Sequence, residues 1–128
     1  DRGGQCKGAV YRLPEETLQL ELDKLIRREM SMVPSAFPWR WIDTVTDEGP
    51  ARALAFPMDR KSVRYIAGLS DEQMVEMLAT ACGFRGSMAE YLFATVSKLE
   101  ELGIHDRNLW RLQELVAKRI DAAQPGDN

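Results

Sequence analysis

The chain has 128 residues, of which 45% are hydrophobic and 29% charged, and its formal net charge is −3. A chain of this length fits one domain with a hydrophobic core, and the composition is that of an ordinary globular protein. Positive and negative side chains are interspersed, so no basic stripe is present to neutralise phosphates. A nucleic-acid partner is therefore not expected, and a small polar molecule fits better.

Apolar residues form no run long enough to span a bilayer. No basic stretch leads into a short apolar run, as it would in a secretory signal. We therefore expect a cytoplasmic protein without a membrane segment.

The two cysteines, Cys6 and Cys82, lie far apart and have no second ligand at metal-like spacing. This pattern indicates neither a disulfide framework nor a zinc site, and we expect reduced, packed thiols. Cys82 would need a nearby base to act as a nucleophile. The only histidine, His105, is expected to be a solvated loop residue.

The first part of the chain predicts a strand followed by a helix. Residues 8–13 are rich in β-favouring side chains and lie between glycine and Pro14, which is typical of a strand. Pro14 suits the first turn of a helix, and Glu15 and Glu16 place negative charge where the helix dipole favours it. We expect this helix to run from about Pro14 to Glu29.

A β-hairpin is predicted next. Residues 39–46 are aromatic and β-branched, and residues 47–50 read Asp-Glu-Gly-Pro, a strong turn signal. Residues 51–58 are predicted to form the return strand. Pro57 would place that strand at an edge, or mark its end.

Three amphipathic helices are predicted after residue 70. Residues 70–73 and 87–90 fit the capping box, in which a serine hydroxyl and a Gln or Glu side chain satisfy backbone N–H groups reciprocally. Gly83 and Gly103 are expected as left-handed terminators, and Asp106 as the cap of the third helix. The predicted buried faces are Met74, Met77, Leu78 and Ala81; Leu92, Val96, Leu99 and Leu102; and Leu109, Leu112, Val116 and Ile120.

Glu29 is the residue whose position suggests chemistry. At about 100° per residue it falls on the same helix face as Leu18, Leu22 and Leu25. Burial penalises the ionised form of a carboxylate and raises its pKa toward the range useful for general acid–base catalysis. A carboxylate among buried leucines is therefore a candidate proton-transfer group.

An alternative for Glu29 is structural. In this interpretation the helix ends near Arg28, and Glu29 turns outward into a surface ion pair with Arg27, Arg28 or Lys24. Such pairs are common on helix surfaces and carry little functional meaning. Periodicity alone leaves both interpretations open.

Several segments, in this order along the chain, carry a family pattern. They are residues 8–13 (Gly-Ala-Val-Tyr-Arg-Leu), 25–29 (Leu-Ile-Arg-Arg-Glu), 65–69 (Tyr-Ile-Ala-Gly-Leu), 82–93 (Cys-Gly-Phe-Arg-Gly-Ser-Met-Ala-Glu-Tyr-Leu-Phe) and 102–106 (Leu-Gly-Ile-His-Asp). Together they resemble the ChaC-like family, the glutathione-specific γ-glutamylcyclotransferases. The resemblance covers nearly the whole chain.

The resemblance implies an α+β fold. A small, mostly antiparallel sheet or partly open barrel, as in γ-glutamylcyclotransferases, would carry the helix bearing Glu29, with three C-terminal helices packed around it. Residues 1–123 would form the C-terminal part of a single domain, and residues 124–128 a flexible tail. Because the chain begins at Asp1, we expect the family's Y-G-S-L loop, which binds the substrate α-carboxylate, to precede it.

The resemblance also implies a reaction. In the family, the α-amine of the γ-glutamyl group attacks its own γ-carbonyl, releasing 5-oxoproline and cysteinylglycine, so neither metal nor cofactor is expected. Glu29 matches the position of the general acid–base. Tyr91, Tyr65 and Arg28 are candidate substrate-binding residues, although Tyr91 is equally explained as a core aromatic. Arg28 beside Glu29 would position it but favour the ionised carboxylate, so these two roles oppose each other.

A second function remains open. The same fold could be a catalytically inactive interaction or regulatory domain that kept the family core and lost its active site. Release of 5-oxoproline by the full-length protein would distinguish the two functions.

Overall fold

The computed structural model describes residues 4–83 and 86–123. These residues form four α-helices and two two-stranded antiparallel sheets, which is an α+β architecture, and no barrel closes among them. In chain order the elements are α1 (Leu18–Glu29), β1 (Arg40–Thr46), β2 (Gly49–Ala55), α2 (Asp71–Thr80), β3 (Cys82–Gly83), β4 (Gly86–Ser87), α3 (Met88–Glu101) and α4 (Arg107–Ala123). The predicted tail at residues 124–128 lies outside the described residues.

The contacts divide the chain into two compact units. One comprises Val10–Ala67 and contains α1 and the β1–β2 hairpin. The other comprises Gly68–Asn128 with the first nine residues and contains α2, α3, α4 and the short β3–β4 pair. No helix of the described residues is long and apolar enough to cross a membrane.

The strand predicted at residues 8–13 is wrong. The described residues before Glu15 have no regular secondary structure, and Tyr11 is 76% exposed. A strand requires backbone hydrogen bonds to a neighbour, and no described strand pairs with this segment. β-favouring side chains alone do not create such a partner.

The helix predicted to end at Glu29 is confirmed. A single 3-10 turn, Glu15–Thr17, leads into α1, which ends at Glu29. The predicted face of buried leucines is wrong, because α1 buries no residue and Leu18 is 44% exposed. Amphipathic spacing defines a face that can be buried, but no described helix or strand of the same unit packs extensively against it.

The hairpin is confirmed with a shift in its bounds. Strands β1 and β2 pair in antiparallel register from Arg40 opposite Ala55 to Thr46 opposite Gly49. The connection is the two-residue turn Asp47-Glu48, and Gly49 has a φ of +112°, a conformation that favours glycine. Strand β2 ends two residues before Pro57, which agrees with the expectation that this proline marks the end of the strand.

Both predicted capping boxes are present. The hydroxyls of Ser70 and Ser87 accept the backbone N–H of Gln73 and Glu90, whose side chains accept the N–H of the serines. Asp106 accepts two backbone N–H groups at the start of α4. These short-range signals place the starts of all three C-terminal helices.

The predicted helix ends are confirmed in one case and wrong in the other. Gly103 has a φ of +73° and follows α3, as a left-handed terminator should. Gly83 has no positive φ; α2 ends earlier, at Thr80, and the chain continues through the extended residue Ala81. The chain therefore enters β3 without a left-handed residue.

Helices α2, α3 and α4 share the main hydrophobic core. Its buried residues are Val75, Ala89, Leu92, Val96 and Val116. Leu92 and Val96 of the predicted α3 face are confirmed as buried, Leu99 is only partly buried and Leu102 is 44% exposed. The predicted face of α4 is confirmed. The face of α2 is displaced: Met77 is 46% exposed and Val75 is buried, because the position of the packing partners decides which side of the helix is covered.

Candidate active site

Glu29 is the last residue of α1 and is partly shielded from solvent. Its side chain is 28% exposed, whereas that of Arg28 is 63% exposed. Arg28 Nε donates to Glu29 Oε1 at 2.8 Å. The surface ion pair of the alternative interpretation is thus present with Arg28, while Lys24 pairs with Glu21.

The second carboxylate oxygen of Glu29 remains available. Oε2 accepts no hydrogen bond from the part of the chain that the structure describes. A carboxylate with one oxygen held by a guanidinium and the other free can accept a hydrogen bond from an ammonium group. The geometry is therefore compatible with proton transfer as well as with a surface ion pair.

The chain after Glu29 is attached to the segment that follows β2. The Asp59 backbone N–H donates to the Ala36 carbonyl oxygen at 2.7 Å, and Arg64 Nη1 lies 3.0 Å from Met32 Sδ. These contacts join two loop segments that are about thirty residues apart in sequence.

A cleft of about 190 Å³ opens between these two segments. Its lining residues are Pro34, Ser35, Asp59, Lys61, Ser62, Val63 and Arg64. Sequence reasoning missed this cleft, because a surface made by two distant loops leaves no periodic pattern. The only signal was the charged run Asp-Arg-Lys at residues 59–61.

Of the four predicted site residues, the structure brings only Arg28 and Glu29 into contact. Tyr65 lies in the same compact unit as Glu29 and is 39% exposed. Tyr91 lies on α3 in the other unit and is 69% exposed, so its interpretation as a core aromatic is wrong. The adjacent Leu92 occupies the buried face instead, since neighbouring helix residues point about 100° apart.

The packed thiols predicted for the cysteines are also wrong. Cys6 and Cys82 are both free and exposed. Cys6 precedes any regular element, and Cys82 lies in the two-residue strand β3, so neither is on a core face. The described residues contain no cluster of three or more His, Cys, Asp or Glu that could hold a metal ion.

His105 is exposed as predicted, yet it has partners. Its Nδ1 lies 2.7 Å from Glu100 Oε1, and its ring lies 5.6 Å from that of Trp110. Trp110 Nε1 donates to the same Glu100 oxygen at 2.7 Å. These hydrogen bonds, first that from Trp110 and then that with His105, hold the pKa of Glu100 below its ordinary value.

Comparison with known proteins identifies the family. The family model described as ChaC-like protein matches residues 1–119, so the chain belongs to the ChaC-like family. The chain is 35% identical over 119 residues to the glutathione-specific gamma-glutamylcyclotransferase of Escherichia coli strain K12, an alignment that covers 92% of this chain and 51% of that protein. It therefore spans about half the length of this curated relative. No solved structure matches the chain significantly.

Proposed function

We propose that the full-length protein containing this chain is a cytoplasmic glutathione-specific gamma-glutamylcyclotransferase, a lyase with a γ-glutamylcyclotransferase-like fold. The observation that supports this most directly is Glu29, a partly shielded carboxylate with one free oxygen, at the position that resembles the family's acid–base residue. Membership in the ChaC-like family and the similarity to the named relative support the choice of reaction.

In the proposed mechanism, Glu29 carries protons from the α-nitrogen of the substrate to its cysteine nitrogen. The α-ammonium of the γ-glutamyl group first gives a proton to the carboxylate, because only the neutral amine can attack. The amine nitrogen then bonds to the γ-carbonyl carbon and closes a five-membered ring. The ring nitrogen gives up a second proton as the amide bond to the cysteine nitrogen breaks, the cysteine nitrogen takes up both protons, and 5-oxoproline and cysteinylglycine are released.

The remaining candidate residues have binding roles in this proposal. Arg28 orients the carboxylate of Glu29 through its hydrogen bond to Oε1. Tyr65 and Tyr91 are 39% and 69% exposed, and the hydroxyl of neither bonds to any described residue. Each tyrosine is proposed to hydrogen-bond the γ-glutamyl group.

The test of this role is Glu29→Gln in the full-length protein, measured by release of 5-oxoproline from glutathione. The substitution preserves size and removes the titratable group. General acid–base catalysis contributes roughly 100- to 10,000-fold to rates, so we expect kcat to fall at least about 100-fold.

Glu21→Gln is the matched control. Glu21 lies on the same helix, its side chain is 34% exposed, and it also accepts an ion pair, from Lys24 at 2.9 Å. We expect its removal to leave kcat unchanged. Equal activity of Glu29→Gln and Glu21→Gln would reject the role of Glu29.

One observation favours the second function, an inactive interaction or regulatory domain. The ion pair with Arg28 already occupies one oxygen of Glu29, as an ordinary surface pair does. Absence of 5-oxoproline release from the full-length wild-type protein would favour this function.

A further inference from the structure

The cleft defined above carries an excess of positive charge. Lys61 and Arg64 line it together with one carboxylate, that of Asp59. Neither cation has a carboxylate within 4.0 Å among residues 4–83 and 86–123. The carboxylate of Asp59 has a partner within its own segment, since its Oδ1 accepts the backbone N–H of Lys61 at 3.0 Å. Two cations without a carboxylate partner among the described residues, beside one cleft, favour an anionic ligand.

The cleft is held by specific contacts on both walls. The Ser62 hydroxyl oxygen accepts the backbone N–H of Arg64 at 3.2 Å, and Arg64 Nη1 contacts Met32 Sδ on the opposite wall. On that same wall the Ser35 hydroxyl oxygen accepts the backbone N–H of Phe37 at 3.1 Å. The Ser62 side chain thus fixes the turn that presents the cations, and the Ser35 side chain fixes the turn on the other wall.

The size of the cleft suits one end of a short peptide. Its volume of about 190 Å³ corresponds to roughly six water molecules at about 30 Å³ each. That space accommodates a carboxylate and the residue that carries it.

One wall of the cleft, at Pro34 and Ser35, follows Glu29 closely in sequence. Met32 follows Glu29 by three residues, so their α-carbons are separated by at most about 11 Å. An extended tripeptide spans about 10 Å. Since Arg64 Nη1 contacts the Met32 side chain, these two lengths are the basis for proposing that a tripeptide with its γ-glutamyl end at Glu29 directs its other end toward Arg64.

From these observations we infer that Lys61 and Arg64 bind the C-terminal carboxylate of the peptide part of the substrate and select substrates that end in a free carboxylate. This inference rests on the proposed function. In glutathione the group is the glycine carboxylate, which remains on the released cysteinylglycine.

The test compares glutathione with its glycine amide as substrates of the full-length protein. Loss of charge-assisted hydrogen bonds should raise KM for the amide by about tenfold or more, with kcat unchanged. The double variant Lys61→Gln/Arg64→Gln should lose this preference, with a raised KM for glutathione and an unchanged KM for the amide. Arg60→Gln removes an adjacent cation that does not line the cleft and should keep the preference.

A calorimetric titration with cysteinylglycine and its amide separates this inference from the proposed function. If the protein releases no 5-oxoproline, the proposed function fails, yet tighter binding of cysteinylglycine than of its amide, lost in the double variant, still supports the cleft. No preference for the free carboxylate in either assay would overturn the inference, as would a preference that the double variant retains. If the double variant cleaves the amide with the same kinetics as wild type, it is folded. If it is not folded, Lys61→Gln alone is used for the same comparison.

Discussion

Two glutamates near helix ends show how the neighbours of a carboxylate determine its role. Glu29 ends α1 with one oxygen on Arg28 and the other free. Glu100 lies near the end of α3, and one oxygen accepts the indole N–H of Trp110 and lies beside Nδ1 of His105. We therefore propose that the carboxylate of Glu29 transfers protons. The carboxylate of Glu100 instead connects the end of α3 to the start of α4.

The lowered pKa of Glu100 predicts that the stability of the fold depends on pH. Because its pKa is lower in the folded than in the unfolded state, the interaction stabilises the fold above the ordinary glutamate pKa of about 4.3. This stabilisation is lost as the pH falls through the lowered folded-state pKa. We expect Glu100→Gln to be less stable than wild type at pH 7, with the difference shrinking below about pH 4.3, in denaturant unfolding followed from pH 7 to pH 3.

The control for this prediction is the neighbouring Glu101, whose carboxylate makes a surface ion pair with Lys98 at 2.7 Å. Glu101→Gln should change stability little, since exposed pairs contribute at most about 1 kcal/mol. A Glu100→Gln difference that stays constant from pH 7 to pH 3 would contradict the assignment.

At the scale of elements, the helices α2, α3 and α4 are stabilised by a shared core. Val116 on α4 is completely buried and packs in one cluster with Val75, Leu92 and Val96. Because each helix contributes to this cluster, removing buried methyl groups from one helix weakens the packing of all three.

We expect Val116→Ala to lower the free energy of unfolding by about 2 kcal/mol, from the lost burial of two methyl groups and the small cavity left behind. Val63→Ala makes the same chemical change at a side chain that is 98% exposed and should cost less than about 0.5 kcal/mol. Denaturant unfolding of both variants measures the difference. Equal losses would show that Val116 is not in the core.

The parts of the fold that the sequence predicted correctly depend on short-range interactions. A capping box joins Ser87 to Glu90, three residues away, and Gly103 ends α3 through its own backbone conformation. The incorrect predictions depend on distant partners. Residues 8–13 need a neighbouring strand, and Met77 needs a packing surface whose position the helix sequence does not contain.

In the candidate site, too, short-range features were predictable and contacts between distant residues were not. The predicted helix end at Glu29 is confirmed, and the ion pair with Arg28 is one of the three pairs that the alternative interpretation offered. The cleft was not predictable, because Lys61 and Arg64 meet the wall at Pro34 only through contacts between loops.

At the scale of the whole chain, buried surface and candidate site lie in different units. In the unit Val10–Ala67 the buried apolar residue is Ala36, while the other buried apolar residues belong to the unit with α2, α3 and α4. Two-stranded hairpins such as β1–β2 are marginally stable alone, and functional sites are often found in less stable parts of a protein. Activity should therefore be measured on the full-length protein.

The most direct test of cyclotransfer is analysis of the products formed from glutathione in ¹⁸O-labelled water. Attack by the substrate amine incorporates no water oxygen, so the account predicts equal amounts of unlabelled 5-oxoproline and cysteinylglycine from the wild-type protein and almost none from Glu29→Gln. Glutamate carrying ¹⁸O in its γ-carboxylate would reveal hydrolysis by water and contradict the account, as would a wild-type protein that forms no product.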